Sequence, residues 1–279
     1  MARSGHHLSG TVTNLAGPME ATITRKRTVW SPKIVDYPPL YQGVFVLRCE
    51  EGGLCTRNLI PGKAALKGRY NGYIVYVRDA DEIIIEYRPW DAFRSPLAAA
   101  IADNKPDDIF IRPGCRVLYL GDGKGALATV SHISDIVGTS GAVYEVESGP
   151  KNVVEMVNMA ARRANVTPIL EDARDPEKYR TAIDEKVDVV YCDIAEDDQV
   201  TILLENVKFY LKDGGNFLLK YEANSSWEDR GAELYSVLKN ERLYATEDVC
   251  LDPYFLNTGL LFGVYTVASS IESLRYGLP

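Results

Sequence analysis

The sequence predicts an α/β protein in which a small N-terminal antiparallel β domain precedes a largely parallel, helix-flanked sheet with an antiparallel last strand. Three observations carry that expectation. Short apolar runs punctuated by Gly52-Gly53, Pro61-Gly62 and Asn71-Gly72 fill the stretch before residue 90. After Pro113-Gly114, apolar runs alternate with segments of helical period, the pattern of βαβ units. Near the C-terminus, two apolar runs are separated only by Pro253–Gly259, too few residues for a crossover, so they pair antiparallel.

Taken in order, residues 1–40 show no sustained period and are expected to form an arm. Gly43–Leu47, Tyr73–Val77 and Ile83–Tyr87 read as strands of a β domain spanning 41–90. Ser95-Pro96 opens a helix, with serine as N-cap and proline at the first helical position, and Leu97 to Ala102 continue it. Within 91–279 the expected strands are Val117–Leu120, Val143–Val146, Thr167–Leu170, Val187–Asp193 and Asn216–Tyr221, then Asp248–Leu251 and Leu260–Val267. Val200, Leu203, Leu204, Val207, Tyr210 and Leu211 follow the i, i+3, i+4, i+7 template of a helix that Gly214-Gly215 should end, and Glu228–Lys239 reads as another.

Composition narrows the function. The 279 residues carry 31 Lys+Arg against 39 Asp+Glu, a net charge of -8, which disfavours a protein that coats nucleic acid unaided. Residues 1–40 hold five basic and two acidic residues, including Arg25-Lys26-Arg27, so the remainder carries -11. The five cysteines (Cys49, Cys55, Cys115, Cys192, Cys250) contain no C-x-x-C pair, which argues for free thiols in a reducing compartment and against a metal site. No secretory signal pattern opens the chain. The uncharged stretch from Pro253 to Ile271 is interrupted by Asn257, Gly259 and Gly263, so it reads as a turn and a buried strand rather than a membrane span.

The first βα turn is Leu120-Gly121-Asp122-Gly123-Lys124-Gly125-Ala126, whose glycines allow a tight turn and close approach of a ligand to a helix N-terminus. It also fits G-x-G-x-x-A, the dinucleotide fingerprint. Glu147 ends the second strand, where an acid takes ribose hydroxyls, and Asp172 ends the third, where a carboxylate takes an adenine amine. The set suits S-adenosylmethionine (SAM) at least as well as a dinucleotide, and the antiparallel finish favours the Rossmann-like SAM-methyltransferase sheet.

Gly43-Val44-Phe45, Thr56–Gly62, Ile85–Trp90, Phe93-Arg94-Ser95, Leu97–Ile101, Val117–Gly121, Thr129–Asp135, Glu171–Pro176, Pro253-Tyr254 and Gly263-Val264-Tyr265 together resemble the fibrillarin family from Tyr41 to about Tyr265. The resemblance implies a SAM-dependent ribose 2′-O-methyltransferase of box C/D ribonucleoproteins. Its partners would be a guide or ribosomal RNA and a Nop-domain scaffold protein, in the nucleolus. Gly121, Gly123, Gly125, Glu147, Asp172 and Asp193 would hold SAM. Residues 1–40 lack the family's glycine/arginine-rich composition, and the glycine loop carries two extra residues near Ala126-Leu127-Ala128.

The family is associated with a Lys-Asp-Lys-His tetrad around the target hydroxyl. Carried over, its positions fall on Pro96, Asp193, Glu222 and Asn257-Thr258, so only the aspartate is kept. Methyl transfer is therefore expected to be lost or strongly weakened, leaving a structural or assembly factor. The alternative is an active enzyme using Asp193 with Lys220 or Glu222. These two side chains share a strand face about 7 Å apart; Lys220 either reaches Asp193 or merely neutralises Glu222. His132 reads as a polar contact of a helix, the Trp90/Tyr87 cluster as packing between the two domains, and Arg88, Trp90, Phe93 and Arg94 as framework near a scaffold-facing surface.

Overall fold

The computed structural model describes residues 33–36, 41–48, 52–63, 65–66, 74–78, 81, 83–103, 106–121, 125–223 and 226–267. The first sheet is antiparallel, with β1 (Lys33–Asp36), β2 (Val44–Arg48), β3 (Gly53–Arg57), β4 (Val75–Arg78) and β5 (Ile84–Pro89) in the order β1-β2-β3-β5-β4. The second holds seven strands: β6 (Arg116–Gly121), β7 (Ala142–Val146), β8 (Val166–Ile169), β9 (Val187–Asp193), β10 (Leu211–Glu222), β11 (Leu243–Cys250) and β12 (Thr258–Tyr265). Their order is β11-β12-β10-β9-β6-β7-β8, parallel from β10 to β8 and antiparallel through β12 and β11.

Five helices accompany them: α1 (Pro96–Ala102), α2 (Ala126–Val137), α3 (Pro150–Ala160), α4 (Gln199–Tyr210) and α5 (Trp227–Asn240). Strand alternation divides the core. Val117, Tyr119, Val189 and Tyr191 face a cluster shared with α1, α2, α3 and the first sheet, through Val44, Leu54 and Trp90. Leu118, Leu120, Val190 and Cys192 face a second cluster built on α4 and α5. The strand order reverses between β6 and β9, so the crevice above their carboxyl ends is where this architecture places ligands.

The expected sheet with its antiparallel end is present, and several element limits differ. Residues 33–36, expected in the arm, form β1 on the edge of the first sheet, and Gly53 opens β3 instead of marking a turn. Runs of four or five residues are too short to establish a period. Residues 1–32 and 37–40, with the Arg25-Lys26-Arg27 run, lie outside the described residues. Helix α4 stops at Tyr210, because Leu211 is already extended. Gly214 sits inside β10 at φ +75, in the irregular stretch between the paired Leu211 and Asn216. Strand β11 begins at Leu243, before the expected Asp248, since pairing with β12 holds its polar half in place. The uncharged C-terminal stretch supplies a turn and β12. No helix among the described residues is long and apolar enough to cross a membrane.

Candidate active site

Parallel strands bring the candidate residues to one edge. Gly121 ends β6 opposite Asp193, which ends β9. Lys220 lies beside Asp193 because Leu219 pairs with Cys192. Glu147 follows β7, and Asp172 follows the neighbouring β8.

Lys220 reaches Asp193: its Nζ lies 2.8 Å from Oδ1, with side-chain exposures of 14% and 7%. Among the described residues Lys220 makes no ion pair with Glu222, so the expectation that it merely neutralises Glu222 is not what the fold chose. The other Asp193 oxygen, Oδ2, accepts the Tyr119 hydroxyl. Burial works against charge on Lys220, but the nearby Asp193 and Glu222 carboxylates outweigh it and raise its pKa. The amine is therefore an ammonium at neutral pH and not a base. Glu222 is exposed at the end of β10. It lines a cavity of about 510 Å³ with Glu196, Asp197, Asp229, Arg230 and Glu233. That cavity contains neither Glu147 nor Asp172.

The remaining tetrad positions carry no cation or imidazole. Pro96 is buried at the start of α1, where Ser95 Oγ accepts the Ala98 N–H at 3.3 Å. Thr258 is buried and donates to the Leu256 carbonyl, while the Asn257 N–H donates to Asp252.

On the cofactor side, a Cβ on Gly121 would lie 2.9 Å from the Tyr119 ring, and one on Gly125 would lie 3.0 Å from the Arg94 carbonyl. A side chain at Gly121 would force the Tyr119 ring to shift, and one at Gly125 would press on the Arg94 backbone. Gly123 lies outside the described residues. Gly125 is the N-cap of α2, so the helix N-terminus opens onto the loop. Glu147 is buried; its Oε1 accepts the Gly149 N–H at 2.7 Å and its Oε2 accepts Asn152 Nδ2 at 3.1 Å. One lone pair on each oxygen stays available for ribose hydroxyls. Asp172 is half exposed, its Oδ1 accepting the Arg174 N–H, and Arg174 in turn forks onto Asp198 at 2.7 and 2.9 Å. These two acceptors fit the hydroxyls and amine of an adenosyl group.

Two features were not singled out in the sequence. Glu145, on the same strand face as Glu147, is 2% exposed, and its Oε2 has no partner among the described residues. Burial, and secondarily the Glu147 charge, pushes its pKa up to about 8. A glutamate inside the apolar run Ala142–Val146 was the available signal. The second feature is a buried cluster around Asp135 of α2. Its Oδ1 accepts Arg163 at 2.6 Å and the Leu59 N–H at 2.9 Å, and its Oδ2 accepts Arg88 and the Thr56 hydroxyl. Because Thr56 spends its proton on Asp135, the 2.7 Å contact with His132 makes His132 Nδ1 the donor. His132 stacks on Trp90 at 4.9 Å, and burial, together with Arg88 and Arg163, drives its pKa well below the ordinary value. It is the polar helix contact the sequence suggested, and Trp90 packs between the sheets as expected, whereas Tyr87 belongs to a separate cluster with Leu47, Cys55 and Val75. Arg88 and Trp90 are buried in this junction, so of the four framework residues only Phe93 and Arg94 reach solvent. A partner cannot touch the other two while the sheets stay docked.

Comparison with known proteins fits this geometry. The fibrillarin family model matches residues 36–267. The rRNA 2′-O-methyltransferase fibrillarin 1 of Arabidopsis thaliana is 41% identical over 238 residues, covering 84% of this chain and 75% of the relative. The crystal structure of Aeropyrum pernix fibrillarin in complex with natively bound S-adenosyl-L-methionine is 33% identical, with a TM-score of 0.71 over 83% of this chain and 99% of that one. A crystal structure of a fibrillarin/Nop5p complex is 30% identical, with a TM-score of 0.64 over 81% and 98%. With its strand order and the carboxylates at its strand ends in place, this chain belongs to the fibrillarin family.

Proposed function

We propose that this chain binds SAM and acts as the ribose 2′-O-methyltransferase of an rRNA-processing ribonucleoprotein, with Asp193 and Lys220 as its catalytic pair. The 2.8 Å ion pair between them carries the reading, because it returns a fixed cation to a site whose family lysine positions hold Pro96 and Glu222. Gly121, Gly123, Gly125, Glu147 and Asp172 would hold the cofactor, which supplies an electrophilic methyl group when bound. Asp193 orients the Lys220 ammonium, and the ammonium stabilises negative charge developing on the ribose 2′-oxygen. A guide RNA and a Nop-domain scaffold bring the target, which suits a chain too acidic to grip RNA alone. Family membership supports the nucleolus as its compartment.

A second reading, an assembly component with transfer lost or strongly weakened, is favoured by Glu222. Its exposed carboxylate shares a cavity with four further acids, and such a field opposes both RNA phosphates and an oxyanion. Methyl incorporation by the particle reconstituted with guide RNA and scaffold separates the two, using wild type, Asp193→Ala and Lys220→Ala. Incorporation by wild type that disappears in both variants establishes the first reading. No incorporation by an intact particle whose chain still binds S-adenosylhomocysteine establishes the second.

A further inference from the structure

Tyr119 lies in β6 across from Tyr191 of β9, and both are fully buried. A buried phenol normally finds a partner for its hydroxyl. Among the described residues the Tyr191 hydroxyl has none, whereas that of Tyr119 donates to Asp193 Oδ2. The two rings meet edge to face at 5.0 Å, so Tyr191 forms a wall against which Tyr119 is set. Asp193 Oδ1 meanwhile holds Lys220 at 2.8 Å. With one partner on each oxygen the carboxylate cannot rotate, and the place of the Lys220 ammonium is fixed with it. Burial, then the Asp193 charge, raises the Tyr119 pKa well above its ordinary value, so the phenol remains a donor.

The ring of the same side chain has another neighbour. A Cβ on Gly121 would fall 2.9 Å from its edge, so Tyr119 lies directly beneath the residue that opens the glycine loop. One side chain thus touches both halves of the site, with its ring under Gly121 and its hydroxyl on the catalytic carboxylate.

We propose that Tyr119 is a positioning residue that sets the Asp193–Lys220 pair against the cofactor loop. This rests on the catalytic reading of that pair given above. Tyr119→Phe keeps the ring and removes the hydroxyl. In the reconstituted particle it should lower kcat on the order of 10²-fold, while S-adenosylhomocysteine affinity stays within about twofold of wild type. Tyr119→Leu loses the ring as well, and should also weaken that affinity about tenfold. Combining Tyr119→Phe with Lys220→Met should be no slower than Lys220→Met alone, since the phenol acts through the pair. Native turnover by Tyr119→Phe, or fully additive losses in the double variant, overturns the proposal.

A wild-type particle without turnover defeats the catalytic reading and leaves the positioning role to be decided by NMR titration of Lys220 Nζ. A Lys220 pKa that falls toward the ordinary lysine value in Tyr119→Phe supports the role, and an unchanged one overturns it. If Tyr119→Phe does not accumulate as folded protein, the unsubstituted chain decides. It should show a slowly exchanging Tyr119 hydroxyl proton that vanishes in Asp193→Ala, which removes the acceptor, and absence of that proton in the unsubstituted chain overturns the proposal.

Discussion

Asp135 and Asp193 are both buried aspartates that hold a cation, and they do so in opposite ways. Asp135 lies between the two sheets with no side-chain exposure and takes two arginines, a hydroxyl and a backbone N–H. Asp193 lies at the open edge of one sheet and takes one lysine and one phenol. The first arrangement is closed on every side, so it serves only to hold the sheets in register. The second has fewer partners, and 14% of its lysine side chain reaches solvent against 8% and 1% for the two arginines, which leaves its cation able to meet something else. The number of partners and the exposure left to the cation separate a structural carboxylate from one that chemistry can use.

The largest expected effect lies on the closed side. Asp135→Ala strands Arg88 and Arg163 in the interior, and loss of one partner from a buried pair costs about 3–5 kcal/mol. Urea unfolding should show that loss, and a variant within 1 kcal/mol of wild type, a limit well below that range, would break the comparison at its structural end. On the open side, Lys220→Met should cost on the order of 10²–10³ in methyl incorporation, the usual result of deleting one electrostatic donor. Its stability should change far less than that of Asp135→Ala. Equal destabilisation by the two variants would mean that both clusters are structural.

Glu145 sharpens the comparison from a third direction, as a buried carboxyl with no cation. Its native pKa of about 8 lies above the ordinary glutamate value, so the folded chain keeps a proton that the unfolded chain has released. Stability should accordingly fall as pH rises from about 4.5 toward 8, by up to about 1.4 kcal/mol per unit. Glu145→Gln should remove that slope and gain on the order of 2 kcal/mol near pH 7. Parallel stability curves for the two proteins across this range would show that the carboxyl is not held protonated. The smallest effect belongs to half-exposed Asp172. Asp172→Ala should weaken S-adenosylhomocysteine by about 1–1.5 kcal/mol, the worth of one hydrogen bond, as read by calorimetry.

The parallel sheet, its antiparallel end and the glycine turn were legible because alternating apolar runs and helical periods extend over whole elements. The strand-end positions of Glu147, Asp172 and Asp193 followed from the same pattern. That Lys220 shares a face with Glu222 was also legible from strand alternation, but which carboxylate it would choose was not. That choice depends on β9 and β10 being adjacent, which places Asp193 beside it. The Asp135 cluster escaped notice because Thr56, Arg88, Asp135 and Arg163 come from four distant parts of the chain and meet only when the sheets dock. Tyr119 escaped for the opposite reason. An aromatic residue in an apolar strand reads as packing, and its hydroxyl contact is invisible until the neighbouring strand is placed.

The Asp135 cluster also bears on how the molecule comes apart. Lifting the first sheet away would leave Arg88 without Asp135 on one side, and Asp135 and Arg163 without Thr56, Leu59 and Asn58 on the other. Partial opening near residue 90 is therefore costly from both sides. The boundary that the sequence suggests at that point should accordingly be one of architecture and not of thermodynamics. Backbone amides of β3 and β5 should exchange with solvent only in the same global event that releases those of β6 and β9, so that two sheets behave as one cooperative unit.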